Sequence, residues 1–232
     1  MFKKKSKKPL NNQRSLITKT NSKSPISEQY RTIRTNIQFA SVDREMQLIA
    51  VTSGTPGEGK STTSANLAVV MAQQGMKVLL LDADLRKPTV HYTFNQTNTF
   101  GLTNVLMKKI ELGSAVKETE IDHLYVLTSG PIPPNPAELL ASKMMKELML
   151  QVRKEFDVII IDTPPILAVA DTQIIANECD GTVLVAASGK AEIENTKKAA
   201  DLLQSASSTL LGVVLNYKDT KGDSGYYYYY GN

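Results

Sequence analysis

From residue 46 onward the chain carries short, nearly unbroken apolar runs at 48–51, 78–81, 124–127, 158–161, 182–187 and 210–215. A strand with one wet face alternates apolar and polar positions. These runs do not alternate, so they read as strands covered on both faces, as in a parallel sheet. Stretches of helical spacing fall between them. Residues 60–74 place Leu67, Val70 and Met71 on one face and stop at Gly75, a natural C-terminal cap. Asn135-Pro136-Ala137-Glu138 offers a cap, a first-turn proline and a capping-box glutamate for another helix. Strand–helix alternation over residues 46–216 predicts an α/β fold: a doubly wound, mainly parallel sheet with helices on both faces.

The flanks differ. Residues 1–24 are polar and rich in Lys, Asn and Ser, which predicts a flexible basic leader. In 25–45, Ser27 stands where it can cap a helix whose apolar positions Tyr30, Ile33 and Ile37 recur at helical spacing. The main domain is expected over 46–217. Residues 218–225 hold no core-forming side chain and lead into Tyr226, Tyr227, Tyr228, Tyr229 and Tyr230, so 218–232 read as a flexible tail.

Charge sharpens this division. The chain carries a net +4, but residues 1–45 hold eleven Lys/Arg against three acids, +8, which leaves −4 for the remainder. A mildly acidic body argues against direct nucleic-acid binding. Lys3, Lys4, Lys5, Lys7 and Lys8 suit a solvated tail, or contact with an anionic membrane surface or an acidic partner. No run approaches the ~18 apolar residues of a membrane span, and no apolar stretch follows the first lysines as in a secretory signal. Cys179 is the single cysteine, so no intrachain disulfide is possible; this suits a reducing cytoplasm.

Two motifs carry chemistry. Gly54-Thr55-Pro56-Gly57-Glu58-Gly59-Lys60-Ser61 fits the P-loop pattern between a strand and a helix, and Thr62 follows it. Its glycines let backbone amides surround phosphate oxygens, and the helix N-terminus adds positive potential. Lys60 is expected on the β- and γ-phosphates of ATP, and Ser61 on Mg²⁺. The second motif is an apolar strand ending in Asp162, the Walker B form, whose carboxylate holds the metal. A similar strand ends in Asp82-Ala83-Asp84, which reads either as turn and capping chemistry or as part of the site. In a parallel sheet all these strand ends share one edge with the phosphate loop. Three carboxylates beside a triphosphate repel unless a divalent cation lies between them. Arg86 and Lys87 come next, facing either the phosphates or solvent.

Together these segments resemble the bacterial tyrosine kinases, in the split form where kinase and transmembrane activator are separate chains. The resemblance rests on Val51-Thr52-Ser53 with Pro56 to Thr62, on Leu81 to Pro88, on Ile160-Ile161-Asp162-Thr163-Pro164-Pro165 and on Pro134 to Leu140. Glu28, Arg31 and Arg34 resemble the family's E-x-x-R-x-x-R oligomerisation motif. The resemblance implies a P-loop NTPase-type fold and a cytoplasmic ATP- and Mg²⁺-dependent kinase that assembles as a homo-oligomeric ring. It also implies recruitment to the membrane by a separate transmembrane activator, phosphorylation of other proteins on tyrosine, and work on capsule or exopolysaccharide export. By the same resemblance Lys60, Asp82 and Asp84 are catalytic, with Asp82 the first choice of base. Ser61, Asp82 and Asp162 hold the metal, Asn216 joins the loop in binding ATP, and Tyr226 to Tyr230 accept phosphate. The rivals are a ParA/MinD-type positioning ATPase and a nucleotide-gated scaffold. The former carries a lysine one residue after the first loop glycine, where this chain has Thr55, and has no reason for a tyrosine cluster.

Overall fold

The computed structural model describes residues 16–40 and 46–219. Its seven strands are β1 (Leu48–Ser53), β2 (Val78–Asp82), β3 (Lys117–Glu118), β4 (Leu124–Leu127), β5 (Val158–Asp162), β6 (Gly181–Ala187) and β7 (Thr209–Asn216). They form one sheet in the order β3-β4-β2-β5-β1-β6-β7, parallel throughout except for the β3–β4 pair. All six apolar runs are therefore strands of a mainly parallel sheet. The reason lies in the two cores. Leu48, Ala50, Leu79, Leu81, Ile159 and Ile161 face one layer of helices, while Ile49, Val51, Val78, Leu80, Val158 and Ile160 face the other. Successive side chains point to opposite faces, so a run wetted on neither side stays apolar throughout.

Two strands depart from the expectation. The two-residue β3 has no apolar run and was not foreseen; it borders the sheet and is half exposed. The apolar run of β7 implies cover on both faces, yet Val213 is 53% and Leu215 56% exposed. It is the opposite edge of the sheet, where an apolar run reports β-propensity rather than complete burial.

The helices are α1 (Ile17–Thr20), α2 (Pro25–Ala40), α3 (Lys60–Ala72), α4 (Val90–Thr93), α5 (Leu102–Leu106), α6 (Leu112–Ala115), α7 (Pro136–Leu140), α8 (Lys143–Glu155), α9 (Asp171–Ala176) and α10 (Ile193–Gln204). α3 is buried on nearly every side, not on one face only, because α1 and α2 cover the side turned from the sheet. Gly75, expected as its cap, adopts φ +84°.

The leader needs correcting. Within 1–24, residues 1–15 lie outside the described part, but Leu16 and Thr18 are buried. The backbone N–H and hydroxyl of Thr18 both donate to Asn66 Oδ1 on α3, at 3.1 and 2.8 Å, and Gln73 donates to the Thr18 carbonyl. A polar segment is held here because its polar groups find buried partners. Ser27 does not cap α2. The helix begins at Pro25, Ser24 Oγ accepts the Ser27 N–H, and Ser27 Oγ donates to the Asn21 carbonyl. The capping box at α7 is also absent: Pro136 takes the first turn, but Glu138 accepts from the Asn135 side chain.

Candidate active site

The site lies at the C-terminal edge of the sheet. β1 runs into the P-loop and α3, while the neighbouring β5 and the next strand β2 end side by side in Asp162 and Asp82. The loop's turns need glycine: Gly57 sits at φ +84° and Gly59 at φ +95°. Glu58 is buried, and its carboxylate accepts both the backbone N–H and the hydroxyl of Thr55, tying the loop across itself. Asn216, from the end of β7, donates its amide to the Glu58 carbonyl at 3.0 Å. That bond braces the loop from the far side of the sheet.

Lys60 Nζ lies 2.8 Å from Asp84 Oδ2, 3.8 Å from Asp162 Oδ1 and 3.3 Å from Ser61 Oγ. Burial alone would lower its pKa, but the facing Asp162 and Asp84 carboxylates outweigh that and raise it, so the ammonium stays charged. Asp162 Oδ1 accepts the Ser64 hydroxyl at 3.1 Å. Asp82 is fully buried and spends its oxygens on backbone. Oδ1 accepts from Asp84 N–H, and Oδ2 from the N–H groups of Thr89 and Val90, which caps α4. Burial, followed by the Asp162 charge, pushes its carboxyl up to about 8.

A cavity of about 570 Å³ opens along this edge. Its walls include Lys60, Ser61, Thr62, Asp84, Lys87 and Tyr217. Asp82 is not in the wall. Asp84 faces the cavity, and Asp82 stands behind it as a turn organiser. Arg86 borders the cavity, but its guanidinium forks the buried carboxylate of Asp171 at 2.9 and 3.0 Å. The loops after β2 and β5 are thereby clamped together. Tyr217 and Ser64 were missed by the sequence reading. The signal for Ser64 was available, since it lies one helical turn beyond Ser61.

Among the described residues no three His, Cys, Asp or Glu side chains converge on one metal position. The oxygens of Ser61 and Asp162 do fit the usual demand of Mg²⁺, which keeps waters and takes one or two carboxylates plus phosphates, while Asp82, the third expected ligand, accepts backbone N–H groups with both oxygens. Cys179 is buried and free, its thiol pKa raised mainly by burial. Glu28 pairs with Arg31, which also donates to the Ser22 carbonyl at 2.7 Å, and Arg34 donates to the Val70 carbonyl at 2.8 Å. The three expected oligomerisation residues thus have intrachain partners. Tyr226 to Tyr230 lie outside the described residues. No described helix is long and apolar enough to cross a membrane.

A glycine loop between strand and helix, its lysine facing carboxylates from two neighbouring strand ends, defines a P-loop nucleotide-binding protein. The comparisons make this specific. The family profile described as an AAA domain matches residues 46–192. The chain is 60% identical over 217 residues to tyrosine-protein kinase YwqD of Bacillus subtilis, covering 94% of this chain and 92% of that protein. The crystal structure of the chimerical protein CapA2B2 superposes with a TM-score of 0.84 at 45% identity, over 86% of this chain and 88% of that one. The kinase domain of Escherichia coli tyrosine kinase ETK gives 0.85 at 32% identity, over 89% and 82%. The chain belongs to the bacterial tyrosine kinases and is a tyrosine-protein kinase.

Proposed function

We propose that the enzyme transfers the γ-phosphoryl group of Mg²⁺-bound ATP to the tyrosines at 226–230 of a neighbouring copy, and to tyrosines of other proteins. Its setting is capsule or exopolysaccharide synthesis and export, at the cytoplasmic face of the membrane. A separate transmembrane protein recruits and activates it there, and copies assemble into a ring through Glu28, Arg31 and Arg34. The observation that carries the acceptor assignment is where β7 ends: Asn216 touches the loop and Tyr217 lines the cavity. The segment bearing the tyrosines leaves from the nucleotide edge itself. Tyr226 lies ten positions beyond Asn216, a reach of at most roughly 33–36 Å. Attack on the chain's own site requires this segment to double back, whereas a neighbour's tail enters from outside.

The chemistry follows the residues. Lys60 neutralises phosphate charge once it exchanges Asp84 for the β- and γ-phosphates. Ser61 and Asp162 would hold the Mg²⁺, which would offset the charge of the triphosphate. Asp84, at the cavity wall, then has a free carboxylate oxygen for the phenolic proton. A phenol of pKa near ~10 reacts poorly while protonated. Positioning carries most of the rate, because the transition state is loose.

The test mixes a Lys60→Met chain, unable to transfer phosphate, with an active chain lacking residues 226–230. Phosphotyrosine is expected on the tail of the inactive chain. Lys60→Met removes the cation facing two carboxylates, so Ser61→Ala serves as a second inactive chain. Labelling of the intact protein combined with none on either inactive chain refutes the trans reaction.

A further inference from the structure

We propose that Tyr217 is the platform on which the nucleobase stacks. The inference rests on the nucleotide-binding reading above and assigns the part of the site that the phosphate loop does not cover. Strand order supplies the direction. β1, which carries the loop, lies between β5 and β2 on one side and β6 and β7 on the other. Asp82, Asp84 and Asp162 all belong to the first side, with the cation that a triphosphate needs there. A triphosphate laid along the loop therefore turns its γ end toward β5 and β2, and its nucleoside leaves toward β6 and β7.

Two strand spacings, roughly 10 Å, separate β1 from β7. That matches the span of an α-phosphate, a ribose and the start of a base. Tyr217 stands at this place, in the wall of the same cavity that holds Lys60 and Asp84. A methyl group built on Gly59 would lie 3.3 Å from the Tyr217 hydroxyl, so the phenol reaches the first residue of the loop–helix junction.

The backbone points the same way. Tyr217 adopts φ +57°, a left-handed conformation that an L-residue enters at a cost of roughly 1–2 kcal/mol. Folding recovers little of that cost through burial, because the residue remains 55% exposed. An aromatic side chain held in a strained conformation, half open to solvent and inside a ligand cavity, is the pattern expected of a group kept for a ligand. Lys190, in the turn after β6, places its ammonium 5.4 Å from the ring centroid and steadies the ring. Asn216 gives one amide N–H to the Glu58 carbonyl, which leaves its second N–H and its Oδ1 to meet the edge of a base stacked on the ring.

Calorimetry on the full chain with ATP and with inorganic tripolyphosphate, each with Mg²⁺, separates base from phosphate. Base–aromatic stacking predicts that Tyr217→Ala weakens ATP about tenfold, about 1.4 kcal/mol, and leaves tripolyphosphate unchanged. Tyr217→Phe keeps the ring and should bind ATP as the unmodified chain does. Equal weakening of both ligands in Tyr217→Ala makes the residue a support of the loop and overturns the proposal. Unaltered ATP affinity overturns it too. If the unmodified chain binds neither ligand, the nucleotide reading falls first and takes this inference with it.

Discussion

Gly59→Ala tests how the phosphate loop is braced. Gly59 caps α3 at φ +95°, where alanine costs roughly 1–2 kcal/mol. A Cβ there would sit 1.9 Å from Asn216 Nδ2 and 3.2 Å from Asn216 Cγ, so the amide must move and give up the Glu58 carbonyl. Losing that hydrogen bond costs about 1 kcal/mol. The single variant should thus lose about 2–3 kcal/mol in urea denaturation at unchanged m. Asn216→Ala removes the same hydrogen bond and should lose about 1 kcal/mol. In the double variant the obstruction is gone and the bond is lost only once. The two losses therefore overlap, and the cycle should show about 1 kcal/mol of coupling. Additivity within about 0.5 kcal/mol, or a Gly59→Ala chain as stable as the unmodified one, would refute the idea that Asn216 braces the loop.

Asp84→Asn should reduce autophosphorylation more than Asp82→Asn, because only Asp84 faces the cavity and pairs with Lys60; a larger loss in Asp82→Asn returns the base to Asp82. Burial alone would raise the Asp180 carboxyl, but the Arg153 fork and the N–H groups of Leu48 and Gln47 outweigh it and hold the pKa low. A depressed folded pKa gives stability that is present above the ordinary carboxylate value and lost as pH falls through the lowered one. Asp180→Asn should therefore be about 1–3 kcal/mol less stable at neutral pH, with the deficit shrinking below about pH 4; a deficit that does not change with pH counts against the pair. Arg34→Ala should lower stability by about 1 kcal/mol by freeing the Val70 carbonyl, whereas the exposed Glu28 can be replaced at little cost. Light scattering on Glu28→Ala then reads assembly separately from folding, and a complex of unchanged size removes Glu28 from the interface.

Much of the site was legible because its residues are neighbours along the chain. A P-loop is a local structure: its glycines, its lysine and the start of the helix behind it fall within eight consecutive positions. The apolar runs likewise betray a parallel sheet through burial on both faces, which leaves no room for polar alternation. The roles of Asp82 and Asp84 were not legible. Two carboxylates two residues apart look equivalent until the turn after β2 gives one of them three backbone amides and the other a place opposite Lys60.

The long-range pairings were equally hidden. Thr18 with Asn66, Arg86 with Asp171, and Asn216 with Glu58 join residues 48, 85 and 158 positions apart. No periodicity or spacing encodes such meetings. Sequence by itself determined the class of fold, the phosphate loop and the acidic strand ends, since these follow from local pattern and from the rule that parallel strands end on one edge. Only tertiary structure decided which carboxylate faces the cavity, what braces the loop, and that Tyr217 stands beside it. Those outcomes depend on strand order, and strand order is settled by how the helical layers bury both faces of the sheet at once.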